Sequence, residues 1–242
     1  MISRFYCPIP LQSGRSITLP PEAAHHALRV LRLRSGDELV LFDGLGGEYP
    51  GRVVEATRVL RIALDGKHDI EREAPLALTL VQALPSGDKM DWVVQKAVEL
   101  GAVAIRPVQT KRSVVRLKGE RADKRVAHWQ QVAISACEQS GRNRLPEIGA
   151  ILDLPHYLAM SRGENETRLL LSPHQGVRLS GLSRPPGTLT LLIGPEGGFE
   201  EGEESAALSV GFQPVSLGPR VLRSETAGLT AMAAILALWG DY

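Results

Sequence analysis

Leu76 to Leu84 (LALTLVQAL) is an apolar run too rich in aliphatic side chains for a sheet with one wet face. A strand of that kind must be covered on both sides, and helices are what cover parallel strands. The following segments supply them. Lys89 to Leu100 places Met90, Val93, Val94 and Ala97 on one helical face and stops at Gly101. Val103 to Val108 reads as the next strand. Glu120 to Ser140 reads as a long helix with Val126, Trp129, Ala133 and Cys137 in its stripe, ended by Gly141. Leu169 to Leu171 and Leu189 to Ile193 are further buried-type strands, Glu200 to Leu208 a helix with an acidic first turn, and Pro214 to Leu217 a last strand. From Glu225 the pattern is helical again, with Leu229, Met232, Ala233 and Leu236 in one stripe. The alternation predicts an α/β domain with a mostly parallel sheet.

Upstream the pattern is different. Ser16 to Leu19, Glu38 to Phe42, Glu48 to Thr57 and Val59 to Leu64 read as short strands, with one helix over Pro21 to Leu31. Several short strands and a single helix predict a small barrel. Its glycine cluster, Asp43 to Gly47 (DGLGG), joins two strands and lacks both GxGxxG and GK[ST] spacing, so it reads as a hairpin turn. Gly66 to Pro75 (GKHDIEREAP) is polar and ends in proline, and the boundary falls there, giving domains 1–70 and 71–242.

Composition narrows the function classes. With 43% apolar and 23% charged residues the chain is that of a globular protein. No signal-peptide-like start and no apolar stretch of membrane-spanning length is present, so a cytoplasmic protein without a membrane partner is expected. Cys7 and Cys137 are far apart, and the six histidines form no ligand cluster, so reduced thiols and no metal are expected. The formal charge is only +1, yet Arg29, Arg32 and Arg34 form one basic cluster and Arg106 to Arg125 another, with eight cations against two carboxylates. Two such patches in a near-neutral chain point to an anionic partner. A dinucleotide-dependent oxidoreductase is disfavoured, because no GxGxxG follows any predicted strand.

Ligands of open α/β sheets sit beyond the carboxyl ends of strands, and three loops there are chemically loaded. They are Ser172-Pro173-His174, Gly194-Pro195-Glu196-Gly197-Gly198 and Gly218-Pro219-Arg220. Arg220, Arg223, Ser224, Glu225 and Thr226 follow the last, with Ser224 readable as a helix N-cap and Glu225 as favourable to the helix dipole. Glu138-Gln139-Ser140-Gly141-Arg142 alone is equally consistent with a helix C-terminus.

Taken together, LIGPEGGF (Leu192 to Phe199), LGPRVLRSETA (Leu217 to Ala227), EQSGR (Glu138 to Arg142) and KAVELG (Lys96 to Gly101) resemble the RsmE family, which methylates N3 of a uridine in 16S ribosomal RNA. The resemblance spans the chain and keeps the family's motif order. It implies a PUA-like barrel followed by a SPOUT domain with a deep trefoil knot, S-adenosylmethionine as cofactor, the small ribosomal subunit as partner, and a homodimer. Cofactor contacts would then fall to Leu171, Ile193, Gly194, Gly198, Leu217, Gly218, Leu222, Arg223 and Thr226. Because the uridine imide must approach an anion as it attacks, Arg142 and Arg223 are the candidate charge stabilisers, and Glu138 or Glu225 the candidate base. Arg4, Arg29, Arg32, Arg34, Lys111, Arg112 and Arg116 are candidates for RNA phosphates. A noncatalytic RNA-binding assembly protein of the same fold, and a ribose 2′-O-methyltransferase, are the alternatives.

Overall fold

The computed structural model describes residues 2–161, 163–173 and 176–242. Contacts divide the chain into one unit of Met1–Glu73 with Cys137–Leu145, and a second of Ala74–Ala136 with Pro146–Tyr242. The sequence division at residue 70 leaves Cys137–Leu145 in the second domain, whereas the structure assigns it to the first. The reason is where its polar groups are spent. Glu138 accepts the Tyr6 amide at 3.0 Å, Arg142 pairs with Glu73, and the Asn143 side chain meets Arg4.

In the first unit β1 (Ser3–Tyr6), β2 (Ser16–Thr18), β3 (Glu38–Phe42), β4 (Tyr49–Ala56) and β5 (Leu60–Leu64) form a mixed sheet in the order β1-β3-β4-β5-β2. Only β1 and β3 run parallel. Along β4, Tyr49, Gly51 and Val53 are buried while Arg52 and Val54 face outward, the alternation of a sheet with one dry face. Phe5, Leu39, Leu41, Val53, Leu60 and Ile62 make its core. The helix expected over Pro21 to Leu31 is instead α1 (Pro21–His25) continued by a π-helical turn, His26–Val30, closed by the Leu31 amide on the His26 carbonyl. Arg32 then takes a left-handed φ of 56°.

The second unit contains β6 (Leu78–Ala83), α2 (Lys89–Glu99), β7 (Ala102–Gln109), most of α3 (Glu120–Ser140), β8 (Glu147–Ile148), β9 (Leu152–Asp153) and α4 (Leu154–Leu158). Then come β10 (Thr167–Leu171), β11 (Val177–Arg178), β12 (Leu189–Ile193), α5 (Glu201–Ser209), β13 (Phe212–Ser216) and α6 (Ser224–Trp239). The sheet order is β11-β13-β10-β12-β6-β7-β8, with β9 also on β7, and each of these pairs is parallel. All five residues of β12 are buried, as both-face coverage requires. One cover includes Leu154, Leu158 and Ala207, packed with Val81, Leu170 and Leu192.

Helix α6 packs against α2, β6 and β12. It is apolar nearly all round, and its buried set adds Ala231 and Ile235 to the expected Leu229, Met232 and Leu236, while Ala233 is half-buried. Gly228 is what lets it come close. A Cβ there would stand 3.2 Å from Ile193 and Leu80 side-chain carbons. Strand β13 enters between β10 and β11, both laid down earlier in the chain, and α6 then returns toward the middle of the sheet. Sequential neighbours alone would not give this order.

Candidate active site

Because β13, β10 and β12 are adjacent and parallel, the three loops that follow them emerge side by side. They enclose a cavity of about 640 Å³, within the ~300–1,000 Å³ typical of small-molecule sites. Leu170, Leu171, Ser172 and Pro173 line it from the first loop, Ile193 to Phe199 from the second, and Leu217, Gly218 and Arg220 to Ser224 from the third. Ala227, Glu204 and Arg112 complete the wall. His174 lies outside the described residues. Two glycines are dictated by backbone shape, Gly198 at φ 69° and Gly218 at φ 132°, and a Cβ at either would meet nothing.

The glycine loop turns its carbonyls into the protein. The Gly194 carbonyl accepts the Ser224 hydroxyl at 2.6 Å, that of Pro195 accepts the Gly198 amide at 2.9 Å, and that of Gly197 accepts the Arg112 guanidinium at 3.0 Å. Glu196 is tied down as well. Its Oε1 accepts the Ser86 amide at 2.9 Å and hydroxyl at 2.7 Å, and Lys89 Nζ stands 3.4 Å away. Burial pushes the Glu196 carboxyl up, but these bonds, with one from its own amide, more than offset that and hold it at about 2. Lys89 also reaches Glu225 Oε1 at 3.1 Å, and this hydrogen bond is the main cause raising its ammonium pKa.

Of the expected cofactor residues, the structure gathers Leu171, Ile193, Gly194, Gly198, Leu217, Gly218, Leu222 and Arg223 on this one cavity, and Thr226 is not among its lining. Ser224, readable from sequence as the N-cap, is the first helical residue, and Arg223 is the N-cap, without a side-chain capping bond. Ser224 spends its hydroxyl on the loop instead. Gln82, Ser86 and Lys89 escaped sequence reasoning altogether. The only local signal was a glutamine inside an otherwise buried strand.

Arg142 and Glu138 are not brought to the cavity. Arg142 is 2% exposed, and its Nε donates to Glu73 Oε2 at 3.1 Å while Nη2 donates to the same oxygen. Burial raises the Glu138 carboxyl pKa, partly countered by the Tyr6 amide it accepts. Both belong to the first unit.

The expected phosphate contacts also divide. Arg29, Arg32 and Arg34 are each exposed in the first unit. Arg4 is not: Glu48 holds it at 2.6 Å and Asn143 Oδ1 at 2.5 Å, and its guanidinium lies 5.4 Å from the Phe42 ring centroid. In the second unit Lys111, Arg112 and Arg116 bind their own surroundings. Lys111 Nζ is 2.5 Å from Glu200, its amide donates to Glu203, and Arg116 donates to the Lys111 carbonyl. Among the described residues no group of three or more metal-ligating side chains converges, and no helix is long and apolar enough to cross a membrane.

A family model described as an RNA methyltransferase domain matches residues 72–236, and one described as an RNA methyltransferase PUA domain matches residues 19–62. A ribosomal RNA small subunit methyltransferase E from Buchnera aphidicola is 33% identical, over 99% of this chain and 98% of its own. The enzyme of that name from Bacillus subtilis is 30% identical, over 93% and 91%. Among solved structures, that of Neisseria gonorrhoeae ribosomal RNA small subunit methyltransferase E bound to S-adenosylmethionine superposes with a TM-score of 0.94 at 41% identity over the whole of both chains. A Legionella pneumophila methyltransferase in complex with S-adenosylmethionine gives 0.95 at 35%, again over both chains.

Proposed function

The chain belongs to the ribosomal RNA small subunit methyltransferase E family, and we propose that it transfers a methyl group from S-adenosylmethionine to N3 of a uridine in 16S ribosomal RNA. The observation that carries this reading is the cavity walled by the ends of β10, β12 and β13, whose residues fit the cofactor. Leu171, Ile193, Leu217 and Leu222 offer apolar walls for a base and ribose, and glycines admit close approach by the backbone. When bound, S-adenosylmethionine supplies an electrophilic methyl group on a sulfonium. The chain's task is alignment and exclusion of water, which the three loops perform by holding one narrow site.

Arg223 lines the cavity and is exposed, which supports a role in holding charge on a uridine carbonyl as N3 loses its proton. Glu225 pairs with Lys89 through Oε1 and keeps its buried Oε2 without a hydrogen-bond partner among the described residues, which leaves it a candidate to take that proton. The first unit, with its PUA-type sheet and the exposed Arg29, Arg32 and Arg34, binds the RNA backbone. Such an enzyme works in the cytoplasm on the small subunit, as a homodimer.

Methyl transfer from labelled S-adenosylmethionine to small subunits lacking the modification, followed by nucleoside analysis, tests substrate and atom together. 3-Methyluridine is expected. A 2′-O-methyl nucleoside would assign a ribose methyltransferase instead, and no transfer together with no cofactor binding would assign an assembly protein. Light scattering reads the oligomeric state, for which a dimer is expected.

A further inference from the structure

Gln82 is wholly buried at the end of β6, in the middle of the parallel sheet, where an aliphatic side chain would fill the same space without a polar group. Its hydrogen bonds explain its presence. Nε2 donates to Ser224 Oγ at 2.9 Å and to the Ala83 carbonyl at 3.0 Å, and Ser224 Oγ donates to the Gly194 carbonyl at 2.6 Å. The polarity of this chain is forced. A carbonyl can only accept, so the single Ser224 hydrogen goes to Gly194, and Ser224 must then receive a hydrogen from Gln82. The Ala83 carbonyl also demands an N–H, which fixes the amide with Nε2 on this side. Oε1 is left buried with no hydrogen-bond partner among the described residues, and an added Cβ on Gly228 would stand 3.3 Å from it.

A buried acceptor left unpaired is a standing cost that packing alone does not call for. We infer that Gln82 and Ser224 are positioning residues of the cofactor site: their relay turns the Gly194 carbonyl inward and thereby sets the backbone of the Gly194–Gly198 loop against the methyl donor. The inference rests on the functional reading above. It adds a strand residue that does not line the cavity to the parts that shape it. Neither side chain takes a proton in this role. Their effect is on the loop.

The test is calorimetric titration of S-adenosylmethionine into the full chain and its variants, with circular dichroism to confirm folding. Ser224→Ala removes the donor to Gly194 and is expected to weaken cofactor binding about tenfold, the size of one hydrogen bond. RNA binding is expected to stay unchanged. Gln82→Leu leaves Ser224 its hydrogen for Gly194 but removes the donor that orients the hydroxyl, and is expected to weaken cofactor binding by about threefold to fivefold, less than Ser224→Ala. Gln82→Glu, ionised, can only accept. It draws the Ser224 hydrogen away from Gly194 and is expected to weaken binding more than Gln82→Leu does at pH 8. Lowering the pH then restores affinity, because a protonated carboxyl donates again. Wild-type affinity in folded Ser224→Ala overturns the inference whether or not Gln82→Glu folds. Failure of the wild-type chain to bind S-adenosylmethionine would overturn the functional reading instead.

Discussion

Replacing Glu73 by Gln takes the Glu73 carboxylate from the 2% exposed Arg142 guanidinium. Arginine cannot escape by deprotonation, so the penalty stays with the folded state. Breaking a buried pair in this way costs about 3–5 kcal/mol. Gln keeps one acceptor oxygen within reach of Arg142 Nε, which puts the expected loss at the lower end, about 3 kcal/mol. At 1.4 kcal/mol per tenfold, hydrogen-exchange protection of the β3, β4 and β5 amides should fall on the order of a hundredfold. Protection in β6 and β12, which belong to the other unit, should fall less. The reverse experiment is the double variant Glu73→Met, Arg142→Met, in which an apolar pair of similar volume removes both charges. Its stability should return to within about 1 kcal/mol of wild type. If methyl transfer returns as well, Arg142 is a strut of the first unit. If stability returns and transfer does not, the guanidinium acts on the substrate and the structural reading of Arg142 is refuted.

Neutralising Arg29, Arg32 and Arg34 together should lower the salt slope of RNA binding by about 2, three phosphate contacts at roughly 0.7 each on single-stranded RNA, while leaving cofactor affinity unaltered; fluorescence anisotropy across a salt series reads this. Gly228→Ala sets about 1 kcal/mol of helix propensity against about 1–3 kcal/mol of overpacking. With Ile193 and Leu80 carbons 3.2 Å from the new Cβ, overpacking should win and a lower melting temperature is expected. Glu196, held at about 2 in the fold against roughly 4.3 when unfolded, favours the folded state fully above pH ~4.3. That contribution is lost as pH falls through about 2, so the side-chain carboxyl in an NMR titration should show its midpoint near the lower value. Gly194→Ala would press a Cβ to 3.1 Å from the Phe199 ring and is expected to raise the KM for S-adenosylmethionine by about tenfold.

Much of this molecule is written in local pattern. The stripe Met90, Val93, Val94 and Ala97 is buried, as a helix of period 3.6 must have it, and Glu38–Phe42 and Glu120–Ser140 begin and end where their patterns do. The three loops that enclose the cavity were also legible, because glycine and proline mark where these strands stop. What local pattern could not reach was partnership across long separations. Arg142 looks identical on paper whether it faces a substrate or Glu73, 69 residues away. Arg4 reads as a surface cation until Glu48 and Asn143 close on it. Gln82 reads as a misplaced polar residue until Ser224, 142 residues later, gives it a hydrogen-bond direction. The sequence by itself determined the elements, the parallel sheet and the loops that bear the chemistry, because these follow from periodicity and turn residues. Tertiary structure alone decided which charged and polar groups are spent holding the fold and which are left to work, because a buried group must be paired and its partner is chosen in space.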